Sequence, residues 1–153
     1  MLRTVLAITL AAALLGAAMP VVDDARVATA GSQTVDQLES LDRAAETLAD
    51  RNDLAPPGMD GSSARRHVVL DFPRRTWGSS GLERLRVPAN SAAGISWRVE
   101  SGKSTTWNSS VPITGPDGGI TIREGGRVRL VLTLQRARGE VVVVVSRPDF
   151  MSD

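Results

Sequence analysis

The sequence lacks cysteine altogether and contains a single histidine. Without cysteine there is no disulfide framework, no thiolate metal site and no cysteine nucleophile. The histidine, His67, has no cluster of carboxylates near it in sequence, so neighbouring residues cannot assemble a zinc or iron site. We therefore expect no cofactor and no metal, and we expect His67 to lie at the surface or at the edge of the core.

The sequence also lacks a recognisable acid–base pair. Asp71, Glu83, Glu100 and Glu124 occur singly, with no arrangement typical of general acid and base catalysis. The glycines of GPDGG and EGG have no strand-to-helix setting of the kind that a phosphate-binding loop requires, and they indicate hairpin turns instead. The sequence thus predicts a protein that is not an enzyme, and it identifies no small-molecule substrate.

Lysine is nearly absent as well, since Lys103 stands against 17 arginines. This excess is typical of a GC-rich genome and is not by itself a sign of guanidinium chemistry. The pairs Arg65-Arg66 and Arg74-Arg75 are candidates for phosphate contacts, but nucleic-acid binding does not fit a domain that is anchored and faces outward. No nucleic-acid partner is expected.

What the sequence does contain is an apolar run at its start. The 19 residues between Arg3 and Asp23 carry no charge, and as a helix they span roughly 28 Å, close to the hydrocarbon thickness of a bilayer. Residues 1–22 are therefore predicted to form a transmembrane helix. One positive charge before the run and two acids after it favour an N-terminus inside and a head outside.

A cleaved signal peptide is the alternative for the same run. Gly16-Ala17-Ala18 and Ala28-Thr29-Ala30 have the small residues of cleavage sites, but the first would leave Pro20 beside the new N-terminus and the second lies beyond three charged residues. Retention is the favoured interpretation.

Small residues in the apolar run stand four apart, in the pattern that lets membrane helices approach closely. Alanine-rich stretches also produce such pairs by chance. The helix-packing candidates are Ala12, Ala13, Gly16, Ala17 and Pro20.

Residues 23–54 are predicted to form an amphipathic helix or stalk. Val35, Leu38, Leu41 and Leu48 recur at steps of three and four or their sums, with Thr34 as the expected N-cap and Pro56-Pro57-Gly58 as the stop. The stripe is too narrow to bury itself, so it is expected to pack against a sheet or against a neighbouring helix.

From residue 66 the apolar period changes to two, which predicts an antiparallel β head over 66–147, preceded by a linker at 55–65 and followed by a tail at 148–153. The last three strands are expected to form a meander, and the VVVVV of 141–145 requires cover on both faces. The fold class is therefore α+β: a long N-terminal helix followed by a small, mostly antiparallel β domain.

The three tryptophans lie in different settings. Trp97 alternates with apolar partners and is expected in the core. Trp77 and Trp107 stand in polar, loop-like sequence and are candidates for ligand contact. Asn108 begins an Asn-Ser-Ser glycosylation sequon, which is meaningful only outside the cytoplasm.

Charge is segregated along the chain. Residues 1–60 carry 4 arginines and 9 acids, whereas residues 61–153 carry 14 basic and 8 acidic residues. Either the acidic helix and the basic head solvate one another, or the helix of one copy docks on the head of another.

The layout of a helix of about 50 residues, apolar and then amphipathic, with a proline near residue 20 and an antiparallel head, resembles that of type IV pilins and pseudopilins. Pro20 matches the kink of the pilin helix, whereas the glutamate that many pilins carry near the start of the apolar run is missing. The segments MLRTVLAITLAAALLGAAMPVVDDAR, RTWGSSGLERLRV and REGGRVRLVLTLQR resemble an uncharacterised haloarchaeal membrane-anchored family associated with type IV pilus-like loci.

These resemblances imply a minor pilin-like subunit or accessory of a pilus-like or secretion machine, whose partners are the membrane and either machine subunits or other copies. An anchored module that binds a glycan or a protein is the alternative, followed by a secreted β protein.

Overall fold

The computed structural model describes residues 2–52, 64–137 and 140–148, and it shows the predicted α+β fold. Its elements are α1 (Leu2–Asn52), β1 (Arg65–Phe72), β2 (Leu82–Val87), β3 (Ile95–Val99), β4 (Thr105–Trp107), β5 (Ile113–Thr114), β6 (Ile120–Ile122), β7 (Gly126–Ala137) and β8 (Glu140–Ser146), with a short 3₁₀ turn at Ser91–Ala93. The stop at Pro56-Pro57-Gly58 and most of the predicted linker and tail lie outside the described residues.

The helix α1 runs without a break through Gly31 and Ser32. Thr34 is therefore not an N-cap, and that prediction was wrong: its hydroxyl donates to the carbonyl of Ala30 at 2.9 Å, one turn back inside the helix. The reason is tertiary packing, which overrides local propensity. Ala30 and Thr34 are both fully buried against the head, so the chain on either side of Gly31 is held in one helix.

The eight strands form two four-stranded sheets. Sheet I has the order β1-β7-β8-β5 and sheet II the order β4-β3-β2-β6, and every pair is antiparallel except β5 with β8. Inward-facing side chains of both sheets belong to one hydrophobic core. Trp97 of β3 lies in that core at 8% exposure, which confirms the prediction.

The predicted meander is wrong in one strand. β7 and β8 form the expected hairpin, but β6 pairs with β2 in sheet II, with Leu85 opposite Ile122. The chain therefore changes sheets between β6 and β7. The crossing is tight, since a Cβ on Gly125 would stand 2.0 Å from the carbonyl oxygen of Pro73. Burial of Ile120 and Ile122 in the shared core is gained this way.

The valine run of β8 behaves as a strand buried on both faces. Val143 and Val145 point into the core between the sheets, and Val142 is buried on the opposite face. Val141 packs partly against the core, and Val144 is half-buried. Cover on both faces is therefore present for most of the run, as the sequence predicts.

The second half of α1 covers the open side of this sandwich. Gln37 accepts a hydrogen bond from the backbone N–H of Asp71 on β1 at 2.9 Å, and Asp42 accepts from the backbone N–H and the hydroxyl of Ser110, just after β4, at 3.0 and 2.9 Å. β1 and β4 are the edge strands on that side. The helix thus occupies the position where another strand would add, which protects both edges.

The apolar stripe of α1 is buried by this packing. The prediction that it is too narrow to bury itself, and so available to a neighbouring helix, is wrong, because two sheets rather than one supply its contacts. The buried residues are Ala30, Thr34, Leu38, Leu41, Ala44, Ala45 and Leu48.

The contacts along α1 also give the head two ends. Arg26 and Val27 lie beside the loop Pro73–Gly81 and the turn Glu100–Ser104, which we call the proximal end. Asp42 lies beside Ser110, and Gly94 lies against Asn108, at what we call the distal end. Sixteen helical residues from 26 to 42 separate these levels by about 24 Å.

Candidate functional site

The first half of α1 has no cover. Every side chain described between Arg3 and Ala25 is exposed, including Leu10 at 63%, and we call residues 3–25 the uncovered segment and residues 26–52 the packed segment. By length and composition, α1 contains a window able to cross a membrane, none of it buried; a signal sequence passes the same test. An apolar surface of this size on one chain marks contact with lipid or with other proteins.

The structure places all five helix-packing candidates on the uncovered segment. At 100° per residue, Ala12, Ala13, Gly16, Ala17 and Pro20 fall within about 140° of the helix circumference, so they share one face. A Cβ on Gly16 would meet nothing within 4 Å. This face is therefore unoccupied by the head and free to receive another helix.

Pro20 adds a polar feature to the same face. Because proline has no N–H, the carbonyl of Gly16 loses the intrahelical bond that it would otherwise accept from residue 20. In an apolar surrounding an unpaired carbonyl is costly and is satisfied by water or by a neighbouring helix. The small face thus combines close approach with an available acceptor.

The two ligand-contact candidates lie at opposite ends of the head. Trp77 is 83% exposed at the proximal end, where the guanidinium carbon of Arg26 stands 5.8 Å from its ring centroid. Trp107 belongs to β4 rather than to a loop; it is half-buried against the core, and its strand leads to Ser110 at the distal end. The structure therefore does not bring the two indoles into one binding platform.

Asn108 follows β4 and is exposed. It lies against Gly94, whose φ of 68° suits glycine, and a Cβ there would stand 2.8 Å from Oδ1 of Asn108. The sequon is thus at the distal surface, away from the uncovered segment.

A basic groove on sheet I was missed by sequence reasoning. It encloses about 1220 Å³ beside the crossing from β6 to β7, and its charged lining consists of His67, Arg123, Glu124, Arg127, Arg129 and Arg147. Arg127 and Arg129 are two residues apart on one strand and so share a face, which was a usable signal. Arg123 and Arg147 join them only through the sheet crossing, which the predicted meander had concealed.

The acidic side of the charge segregation lies elsewhere. Asp36, Glu39 and Asp50 are exposed on the packed segment, away from the buried stripe. The surface ion pairs are local: Arg26 with Asp23 at 3.1 Å, Arg75 with Glu100 at 3.5 Å, and Arg98 with Glu83. Exposed pairs of this kind add little stability. Among the residues that the structure describes, no group of three or more His, Asp or Glu is placed to hold a metal ion.

Comparison with known families extends over nearly the whole chain. A family model described as a domain of unknown function, DUF7311, matches residues 1–148. The chain belongs to this family. The DUF7311 match includes the uncovered segment as well as the head, so the two parts form one family unit. No curated protein and no solved structure matches the chain.

Proposed function

We propose that this chain is a non-enzymatic, single-span membrane protein of the cell surface that serves as a minor pilin-like subunit or accessory of a type IV pilus-like or secretion assembly. The uncovered segment spans the bilayer with its N-terminus inside, and the β head lies outside. One observation carries the proposal: a single unbroken helix is apolar and uncovered over its first half and built into the head over its second half.

The packed segment argues for retention of the apolar run. Cleavage after Ala30 would cut the helix inside its contact with the head, where Ala30 is fully buried and Val27 packs against the core. Cleavage after Ala18 would leave those contacts intact. Only the second site is compatible with the fold, and it leaves Pro20 beside the new N-terminus.

The small face argues for assembly beyond simple anchoring. Lipid can cover bulky apolar side chains as well as small ones, so a membrane anchor alone does not require a face of small residues. The resemblance in layout to pilins, and the likeness to a haloarchaeal family associated with pilus-like loci, support the same conclusion. The proposed partners are the membrane, subunits of such a machine and other copies of this chain.

The test of the proposal is the state of the mature protein in its native cell. Membranes are washed with alkaline carbonate, and the N-terminus of the extracted protein is sequenced. We expect the protein to stay in the membrane fraction with residues 4–22 present, and to be crosslinked to an assembly there. A soluble product that begins near Met19 would refute the anchor and the pilin-like role together.

The basic groove favours a second function, that of a membrane-anchored extracytoplasmic module that binds an acidic glycan or an acidic protein surface. Four arginines around one groove fit anionic groups better than neutral ones. The test measures binding of alginate, a uronate polymer, to the Arg127→Glu/Arg129→Glu variant. Arg84→Glu/Arg86→Glu is the matched control, because both residues are exposed at the same spacing on β2 of sheet II. Equal binding by wild type and both variants would remove this function.

A further inference from the structure

We propose that the loop Pro73–Gly81 is a membrane-interface anchor, with Trp77 at its tip inserted among the lipid headgroups beside the transmembrane segment. The inference rests on the proposed insertion of the uncovered segment. Its occupant is the bilayer that this same helix crosses, and it assigns to Trp77 a contact with lipid rather than with a soluble ligand.

The position of Trp77 along the helix carries the first step. Its ring lies beside Arg26, which follows the last residue of the apolar run, Val22, by four residues. Four helical residues rise about 6 Å, and the headgroup region adds roughly 5–7 Å to each side of the hydrocarbon core. With Val22 at the hydrocarbon boundary, the indole is therefore level with the headgroups. Tryptophan is enriched at this depth because it has an apolar ring and one N–H donor.

The loop is held in a defined shape, so the exposure of Trp77 is built into the fold. The backbone N–H of Thr76 donates to the carbonyl of Ser79 at 2.9 Å, which closes a turn with Trp77 and Gly78 at its tip. At its base, Leu82 N–H donates to the carbonyl of Pro73 at 2.9 Å.

The loop is also tied to its neighbour. Glu100 N–H donates to the carbonyl of Gly81 at 2.9 Å, and the Glu100 carboxylate pairs with Arg75. Two proximal segments are thus fastened together, and they present the indole outward from the head.

The charges at the proximal end leave the indole as the main contact. Asp23 is paired with Arg26 and Glu100 with Arg75, and the remaining exposed Lys103 and Asp24 have opposite signs. A polybasic attraction to anionic lipid would need an excess of cations. We therefore expect the depth of the loop to change little with salt concentration.

The absence of cysteine makes a direct test possible, because a single introduced cysteine takes a nitroxide label. The full chain is reconstituted in vesicles of phosphatidylcholine and phosphatidylglycerol. Label at Gly78→Cys reports the loop tip, where a side chain meets nothing within 4 Å. Label at Ser91→Cys is the matched control on the exposed turn at the distal end, and label at Gly16→Cys reports insertion of the helix. Collision with oxygen, which favours lipid, is compared with collision with a water-soluble nickel chelate.

We expect the label at 78 to shift towards oxygen relative to the label at 91, and to return to the aqueous value when Trp77→Ser is added. If 78 matches 91 while 16 reads as bilayer interior, the interface anchor is wrong and the proposed function stands. If 16 also reads as aqueous, the membrane anchor itself is refuted. Protection of 78 by a soluble oligosaccharide without any shift towards oxygen would assign Trp77 to a glycan and overturn the inference.

Discussion

The two segments of α1 continue each other in one helix, yet they are built on opposite rules. The packed segment buries a stripe of leucines and alanines and keeps its charges outside, as a helix does on a water-soluble core. The uncovered segment is apolar all round and contacts nothing in the head. The comparison teaches that the division of labour lies in the side chains, since the backbone is continuous across the boundary. Substitutions matched between the two segments therefore separate stability of the head from assembly in the membrane.

The largest expected effect comes from Leu41→Ala in the packed segment. Leu41 is 1% exposed between the sheets, and truncation of a buried leucine costs about 2–5 kcal/mol in free energy of unfolding. Leu10→Ala is the matched change in the uncovered segment. Denaturant unfolding of the full chain in detergent, followed by tryptophan fluorescence, should show the loss for Leu41→Ala and none for Leu10→Ala. Equal losses would mean that the head contacts both segments.

A smaller effect is expected at the polar contacts that fasten α1 to the sheet edges. Asp42→Ala removes the acceptor for two donors of Ser110 and should cost about 1 kcal/mol, since the pair is open to solvent. Asp42→Asn retains one acceptor oxygen and should recover part of the loss. If Asp42→Ala unfolds at the same denaturant concentration as wild type, the apolar stripe alone fixes the helix on the head.

A stabilising change is expected at Gly31. The chain is helical there, and a Cβ would stand 3.6 Å from the Trp97 ring, an ordinary van der Waals distance. Gly31→Ala should therefore raise the free energy of unfolding by about 0.5–1 kcal/mol, through lower conformational entropy of the unfolded chain and higher helix propensity. Gly16→Ala in the uncovered segment should leave head unfolding unchanged. A loss of stability for Gly31→Ala would show that α1 and β3 are closer packed than this distance indicates.

Local patterns in the sequence were enough to predict the fold class and most of the strands. The apolar run, the stripe at helical spacing and the period-two strands each depend on neighbours in sequence, and Trp97 followed from its strand alternation. Thr34 and β6 failed for the opposite reason. A threonine after Gly-Ser favours a helix start locally, and β6 favours pairing with β7, but the core shared by two sheets decides both.

The candidate surfaces follow the same division. The small face was predictable, because helical spacing alone places Ala12, Gly16 and Pro20 together. The basic groove was not, because Arg123 and Arg147 reach it through the sheet crossing. Trp77 was predicted to be exposed in polar sequence and is exposed, but its level beside Arg26 depends on how the head docks on α1. Sequence periodicity reports faces, whereas levels along the helix require the tertiary structure.

The smallest effect on the head, and the one that carries the functional claim, is expected from Ala12→Leu with Gly16→Leu. Neither position touches the head, so its unfolding should not change, and leucine should leave membrane insertion intact or improved. Close packing of helices in lipid depends on small residues, so crosslinked oligomers or association with the machine should be lost. Leu6→Ile with Leu10→Ile is the control, since it keeps the bulk of a lipid-facing surface. If the double leucine variant crosslinks as well as wild type, the small face does not mediate assembly. The membrane-anchored binding module with its basic groove then becomes the better account of this protein.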